Sequence, residues 1–332
     1  MRCNQVGAFN RDACSRFNLR DVMLVVNNIF TETPRLPHVV MTIGSFDGVH
    51  LGHQAILRQV VQDARRINGT AAVLTFRPHP REFFMPNHTP NLLTTEKQKI
   101  ALLEHLGLDA VFFFPFNAET ASLEPKDFVE KVLLGKCGVR ELVVGHDFRF
   151  GRAARGDFDL LENMAPRFGF KVSQMAPLLI QGERVSSTAI RERILEGDLE
   201  QAELFLGRKF ALHGRIEQGR GIGKTLGFPT ANVISPRSII PAHGVYAAEA
   251  LLDGMSYPAA INIGIAPTIR QDNVVVEAHL INFSGDISGK EMELIFHHRL
   301  RPERKFPSRE DLVEQIRKDV QTITEYFARL RK

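Results

Sequence analysis

The chain is expected to fold as an α/β unit built on a parallel sheet, followed by a small β-barrel and a closing C-terminal helix. Three observations predict this. Apolar runs alternate with helix-period segments through the first half of the sequence, as in a parallel sheet with crossover helices. Beyond Thr188 the texture changes to short β-like runs punctuated by Gly and Pro, the pattern of a small barrel. At 332 residues the chain also exceeds one ordinary core, and domains of about 100–200 residues make two the natural division.

The elements follow in order. Residues 1–22 are mostly polar with no sustained period and are expected to be a loosely attached, disordered extension, with Met23 an alternative start. The α/β unit is placed at residues 23–188. His38–Ile43 is a short apolar strand, Gly44–Gly52 a turn, and Gln54–Ile67 carries helical spacing. Further strands are expected at Ala71–Phe76, Ala110–Phe116 and Glu141–Gly145, with helices at Thr95–Leu106 and Glu124–Leu134. Ala189–Leu206 reads as one amphipathic linker helix. Residues 207–332 hold five β-like runs, Leu212–Glu217, Gly244–Leu252, Ala259–Ile263, Val274–Phe283 and Met292–Leu300, closed by a helix from Ser308 to Arg331.

Composition excludes several classes. A content of 44% hydrophobic and 24% charged residues is that of a globular protein. The net charge of +4 is modest and no block of like charges occurs, so no nucleic-acid partner is expected. Arg65 and Arg66 read as a solvated helix face. The apolar runs, such as Asp109–Phe116, fall short of the ~20 residues a spanning helix needs, and the N-terminus lacks a signal-peptide core, so no membrane partner is expected. Cys3, Cys14 and Cys137 have neither zinc-site spacing nor an even count, which predicts reduced thiols and a cytoplasmic protein.

Chemistry concentrates first at Gly44-Ser-Phe-Asp-Gly-Val-His-Leu-Gly-His53, where a strand meets a helix. Open α/β sheets bind ligands at such turns. Glycines permit close backbone approach to a phosphate, the helix N-terminus offers free N–H groups, and two histidines one helical turn apart face the same anion. Taken alone, His-x-x-His is more often a pair of surface histidines; the glycines and the strand-to-helix setting favour a triphosphate cradle. A zinc site is disfavoured because no clear third ligand stands nearby.

On these residues the chain resembles the nucleotidyltransferase superfamily, and in particular the FMN adenylyltransferase module of bacterial bifunctional riboflavin kinase/FAD synthetases. Thr75-Phe-Arg-Pro-His-Pro80 with Glu82-Phe-Phe84, Gly145-His-Asp-Phe-Arg-Phe-Gly151 and Arg184-Val-Ser-Ser-Thr-Ala-Ile-Arg191 carry the same likeness. The resemblance implies a Rossmann-like nucleotidyltransferase domain with ATP held by Gly44, Phe46, Asp47, His50, Gly52, His53, Asp147, Arg184, Ser187, Thr188 and Arg191. It places flavin against Pro78, Pro80, Phe83 and Phe148, and gives His50 and His53 the catalytic role. Read without it, Ser187 and Thr188 are equally good caps of the following helix, and the arginines are equally well solvated.

In the second half, Gly219-Arg-Gly-Ile-Gly-Lys-Thr225 approaches a P-loop but fails on spacing, with Gln218 where a glycine is required. Gly227-Phe-Pro-Thr-Ala-Asn232 is the specific signal and resembles the riboflavin kinase motif. Thr230 and Asn232 are two apart, so on an extended segment their oxygens project from one face and can share Mg²⁺ with ATP phosphates. Glu277, in Val276-Glu-Ala-His-Leu280, is the base that the resemblance assigns to the ribityl hydroxyl of riboflavin. Gly221, Gly223 and Lys224 are expected to cover the ATP phosphates. Gly244-Val-Tyr246, Asn262-Ile-Gly264 and Arg299–Phe306 extend the likeness to the end of the chain. It implies riboflavin, FMN and ATP as substrates and Mg²⁺ as cofactor.

Three departures stand out. Pro90-Asn-Leu-Leu-Thr94 lacks the arginine usual in the family, Ile265-Ala266 replaces a Thr-Arg pair, and His146 stands where some members have an acidic residue. These bear on substrate affinity and on the relative rates of the two steps.

Overall fold

The computed structural model describes residues 22–32, 34–85, 91–217, 222–265 and 274–330. The expected N-terminal extension therefore lies outside the described residues except for Val22.

Six strands, β1 (Leu24–Val26), β2 (Val39–Ile43), β3 (Thr70–Arg77), β4 (Ala110–Pro115), β5 (Val139–Gly145) and β6 (Lys171–Met175), form one sheet in the order β1-β4-β3-β2-β5-β6. Every pairing is parallel. Its central strands are buried on both faces, which is why they read as unbroken apolar runs. Val40, Val73 and Phe113 pack on one side with Leu57, Val60 and Ala64 of α1 (Leu51–Arg66). Met41, Leu74 and Phe112 pack on the other with Phe128, Val132 and Leu161. The chain lays β2, β3 and β4 in one direction and then returns to place β5 on the far side of β2. A crevice at such a reversal is the usual ligand site of a doubly wound sheet.

The edge strands escaped the sequence reading. β1 has three residues, and β6 (KVSQM) is largely exposed and has no apolar run. Helices α2 (Pro80–Phe84), α3 (Glu96–His105), α4 (Ala118–Ala121) and α5 (Pro125–Asp127) follow, and α5 continues into a π-helical turn at Phe128–Leu134. α3 carries a full capping box between Thr95 and Gln98. After α6 (Phe158–Phe168), a short hairpin of β7 (Leu179–Ile180) and β8 (Glu183–Arg184) raises Arg184 toward the C-terminal edge of the sheet.

The expected single helix at 189–206 is two helices, α7 (Ser187–Glu196) and α8 (Leu199–Leu206). Gly197 ends the first with φ +82°, and Asp198 caps the second by accepting the Gln201 N–H at 3.1 Å. A glycine C-cap followed at once by an acidic N-cap is a stop and a start, which helical periodicity alone conceals. Ile190, Ile194, Leu199, Ala202, Phe205 and Leu206 of this pair share one core with barrel residues Leu212, Tyr246, Ala248 and Phe296.

The barrel is closed by six strands rather than five, in the order β10-β13-β12-β11-β14-β9. They are β9 (Ala211–Glu217), β10 (Ala231–Ile234), β11 (Gly244–Leu252), β12 (Met255–Ile265), β13 (Val274–Leu280) and β14 (Glu291–Arg301). β10 was missed because it has four residues and begins immediately after Phe228-Pro-Thr. One helical turn, α9 (Ile222–Thr225), precedes it, and α10 (Arg309–Leu330) lies on the outer wall with Ile323 and Phe327 against Ala247 and Ile281. Arg301 pairs with the buried Asp319 at 2.8 Å, pinning that helix. Cys137 is a buried free thiol that burial pushes up to about 12.

Candidate active sites

The turn after β2 is held in an uncommon backbone. Phe46 (φ +48°), Gly48 (+83°) and Val49 (+39°) are all left-handed, a costly choice for an aromatic and a β-branched residue. Buried polar contacts impose it. The Asp47 carboxylate, 1% exposed, accepts the N–H groups of Leu93 at 3.0 Å and Thr94 at 3.1 Å and pairs with the Arg191 guanidinium. The Asp47 carbonyl accepts the Ser187 hydroxyl at 2.9 Å, and the Gly48 N–H donates to Thr94 Oγ1 at 3.1 Å. Lys99, on α3, donates from Nζ to the Ser45 carbonyl at 2.7 Å. A Cβ at Gly48 would meet the Leu93 side chain at 2.8 Å and would have to take a φ of +83°, so a larger residue is strained there on both counts.

The turn delivers His50 as the N-cap of α1, its Nδ1 accepting the His53 N–H at 3.3 Å. The two rings stack with centroids 3.6 Å apart, and Phe46 meets His53 edge-on at 5.0 Å. Both histidines line a cavity of about 320 Å³. It lies between the turns after β2 and β5, at the point where the strand order reverses, and Asp147, Arg184, Ser187, Thr188 and Arg191 complete its wall. α1 and α7 both begin there, so two helix N-termini face one space. His53 Nδ1 is buried without a hydrogen-bond partner, a polar atom left for something that enters.

Burial lowers the His50 pKa to about 4; Asp47 works against this, and Arg208, Arg184 and Arg191 add to it. Burial, followed by His50 and Lys99, holds His53 well below its ordinary value. Both rings are neutral at pH 7, ready to receive an anion's field rather than already charged. The unfolded chain takes up these protons near pH 6.5 and the folded chain does not. Their contribution to stability is therefore complete above that pH and declines as pH falls from 6.5 toward 4. Calorimetry should show the melting temperature dropping across that window, and His50→Gln should flatten the slope.

The second constellation lies on the outside of the barrel. Along β13, Val276 and Ala278 are buried and Glu277 between them is half-buried; β10 and β12 repeat the pattern at Asn232 and Asn262. Strand register sets Glu217, Asn232, Glu277 and Asn262 side by side across β9, β10, β13 and β12. Asn262 Nδ2 reaches Glu277 Oε2 at 3.4 Å. His279, two residues on, contacts the Pro229 carbonyl through Nδ1 at 2.8 Å and Phe228 edge-on at 5.6 Å, clamping the segment ahead of Asn232. Gly223 packs so closely on Thr230 that an added Cβ would sit 3.0 Å from its hydroxyl. Arg309 of α10 donates to the Thr225 carbonyl at 2.9 Å, so α9 is tied to the last helix.

An FAD synthetase family model matches residues 32–189 and a riboflavin kinase family model residues 206–327. The chain is 39% identical over 306 residues to the bifunctional riboflavin kinase/FMN adenylyltransferase of Haemophilus influenzae, covering 92% of this chain and 99% of that one. This chain belongs to the bifunctional riboflavin kinase/FMN adenylyltransferase family. The Escherichia coli K12 member is 37% identical over 289 residues, 87% of this chain and 92% of its own length. A crystal structure described as a macrolide-efflux protein from Streptococcus pneumoniae shares the fold, with a TM-score of 0.82 and 26% identity over 91% of this chain and 99% of that one. Among the described residues of the present family member no helix is long and apolar enough to cross a membrane.

Within this family member, the residues expected from sequence fall into several groups. Asp47, His50, Gly52, His53, Asp147, Arg184, Ser187, Thr188 and Arg191 come together around the cavity. Asp47 and Arg191 are spent on each other there, and the α7 cap is Ser186 rather than Ser187 or Thr188. Arg184 pairs with Asp147 at 2.6 Å; burial pushes that carboxyl up, but the guanidinium and His146 outweigh it and leave it below its ordinary value. Gly44 and Phe46 shape the turn without lining the cavity. Pro78, Pro80, Phe83 and Phe148 are also outside its wall; Phe83 is partly exposed and packs on Phe116, and Phe148 stacks on Phe150. Thr230, Asn232 and Glu277 belong to the barrel constellation, with Gly223 behind Thr230. Gly221 and the side chain of Lys224 lie outside the described residues.

Sequence reasoning missed His79 and Arg81, which line the cavity. His79 had a signal, standing between Pro78 and Pro80 at the start of α2, which it caps. Lys99 and Arg208 had none, because each acts on backbone carbonyls far away in sequence.

Proposed function

We propose that the chain phosphorylates riboflavin to FMN at the barrel wall and adenylylates FMN to FAD at the sheet crevice. The observation that carries this reading is the presence of two separate constellations in one chain. One is a neutral, buried histidine pair at two converging helix N-termini; the other is a carboxylate in register with two asparagines beside Thr230. Residues 23–188 form the adenylyltransferase part in this reading, 189–206 the connection and 207–332 the kinase. A cytoplasmic setting belongs to the same proposal and is supported by the free thiol of Cys137.

At the crevice, the ionised phosphate of FMN attacks the α-phosphorus of ATP and pyrophosphate departs. No strong base is required, so positioning and charge stabilisation carry the step. His50, His53, the α1 and α7 N-termini, Arg184, Ser187 and Thr188 hold the triphosphate. Asp47 and Arg191, paired with each other in the cavity wall, act by fixing the turn. Pro78, Pro80, Phe83 and Phe148 flank the flavin.

At the barrel, Glu277 takes the proton of the ribityl hydroxyl as that oxygen attacks the γ-phosphorus of ATP, and ADP departs. Asn262 orients the carboxylate. Thr230 and Asn232 offer neutral oxygen donors, a set that would suit Mg²⁺. Were the ion held there, it would supply charge neutralisation for the phosphates; Gly223 sits against the Thr230 hydroxyl and fixes its position.

Purified protein given riboflavin, ATP and Mg²⁺ should form FMN first and FAD second on chromatography. FMN accumulating without FAD would remove the adenylyltransferase assignment, and conversion of supplied FMN alone would remove the kinase assignment. His53→Ala should reduce FAD formation from FMN by about a hundredfold, the usual cost of losing one preorganised donor to a developing charge. Riboflavin phosphorylation should be unchanged in the same sample; equal loss of both activities in folded protein would contradict the division.

A further inference from the structure

Arg208 stands beyond α8, inside the stretch matched by the riboflavin kinase model, yet its guanidinium reaches back to the other site. Nη2 donates to the Gly48 carbonyl at 2.8 Å, and Nη1 makes a longer 3.5 Å contact with the Val49 carbonyl. Gln54 on α1 bridges the same region, donating from Nε2 to the carbonyls of Val49 and Leu206 at 3.0 Å each. Arg208 does not line the cavity. It grips the outer side of the turn that carries His50.

That grip falls where the backbone needs it. Gly48 and Val49 are the last two left-handed residues before α1, and Val49 is β-branched, so the conformation persists only while its surroundings hold it. The carbonyls of Ser45 and Asp47 are bound by Lys99 of α3 and Ser187 of α7. Those of Gly48 and Val49 depend on Arg208 and Gln54. Among these four side chains, Arg208 is the one supplied by the barrel half. Its charge is kept in a half-buried place where burial lowers its pKa to about 10 and Glu293, then Asp47, oppose that shift. A guanidinium with a fork geometry holds two neighbouring carbonyls in a way that an ammonium does not.

We infer that Arg208 is a positioning residue for adenylyl transfer, contributed to the sheet site by the kinase half: by holding the Gly48 and Val49 carbonyls it sets the His50 ring and the start of α1 toward the cavity. This rests on the proposed FMN adenylyltransferase activity. The consequence is that one of the two reactions depends on a residue outside the region that performs it.

The test uses the full-length protein as wild type, Arg208→Ala and Arg208→Lys, assayed for FMN to FAD and riboflavin to FMN in the same preparation. In Arg208→Ala, kcat for FAD formation should fall by roughly ten- to a hundredfold, the range expected when reacting groups are displaced by about an ångström. KM for ATP and for FMN should stay near wild type, riboflavin phosphorylation should be unchanged, and Arg208→Lys should fall between. Guanidinium ion added to Arg208→Ala below denaturing concentration should restore part of kcat, whereas sodium chloride at equal ionic strength should not. Wild-type kcat in Arg208→Ala, or a matched fall of both activities with a lowered melting temperature and no rescue, would overturn the inference. Failure of the wild type to make FAD would instead overturn the activity on which it rests.

Discussion

Glu277→Gln is expected to cut riboflavin phosphorylation by about a hundredfold to ten-thousandfold, the span over which positioned general bases act. The substitution keeps shape and hydrogen-bonding reach, so Asn262 still finds an oxygen and the register of β13 between β10 and β12 is undisturbed. What disappears is the acceptor for the hydroxyl proton. Conversion of supplied FMN to FAD should stay at the wild-type rate, because that site is built on different elements and requires no base. Single-turnover measurements with riboflavin and ATP would separate chemistry from product release. Retention of more than a tenth of the wild-type chemical rate would show that Glu277 is not the base. Glu217, in register on the far side of Asn232, is then the next carboxylate to replace.

Asp47→Asn should be the most destabilising single change at the sheet site, costing about 3–5 kcal/mol, the range for breaking one partner out of a buried ion pair. Its carboxylate serves the Leu93 and Thr94 N–H groups and the Thr94 hydroxyl as well as Arg191, whose side chain is 12% exposed. An amide offers one acceptor where two were used and leaves the guanidinium uncompensated. FAD formation should be lost with the turn, and denaturant unfolding should give the stability change. A double variant, Asp47→Asn with Arg191→Met, should recover part of the stability because no buried charge is left alone, but not the activity. If Asp47→Asn unfolds at the wild-type denaturant midpoint while losing FAD formation, Asp47 acts on ATP directly and not through the turn.

The central strands of the sheet and the long barrel strands were legible because burial on both faces, or strict alternation, leaves an imprint on residue type. β2 and β4 are nearly continuous apolar runs, and Val276–Leu280 alternates between buried and half-buried positions as a barrel wall must. β6 and β10 were not legible: the first is exposed on its edge, and the second is four residues long behind a proline. The division of α7 from α8 was written in Gly197-Asp198, but helical spacing continues across it. Among candidate site residues, those that lie in contiguous motifs, His50, His53, Thr230, Asn232 and Glu277, could be proposed from the letters alone. Lys99 and Arg208 act across more than fifty and one hundred and fifty positions, respectively, on main-chain oxygens. Such contacts place no constraint on neighbouring letters. The reading gave Asp47 and Arg191 to the nucleotide without their mutual pairing, because the letters of two separate motifs do not disclose that a charge in one is the partner of a charge in the other.

Helix α7 belongs to two owners. Its first turn lines the sheet crevice, while Ile190 and Ile194 on its flank are buried in the core of the barrel. A protein engineer cutting the chain before this helix would strip the crevice of Ser187 and Thr188; cutting after it would bare an oily flank on the first fragment and leave a hole in the second. The same bookkeeping constrains heredity: the halves of this enzyme can be duplicated or exchanged between lineages only if the helix that joins them is either copied twice or rebuilt.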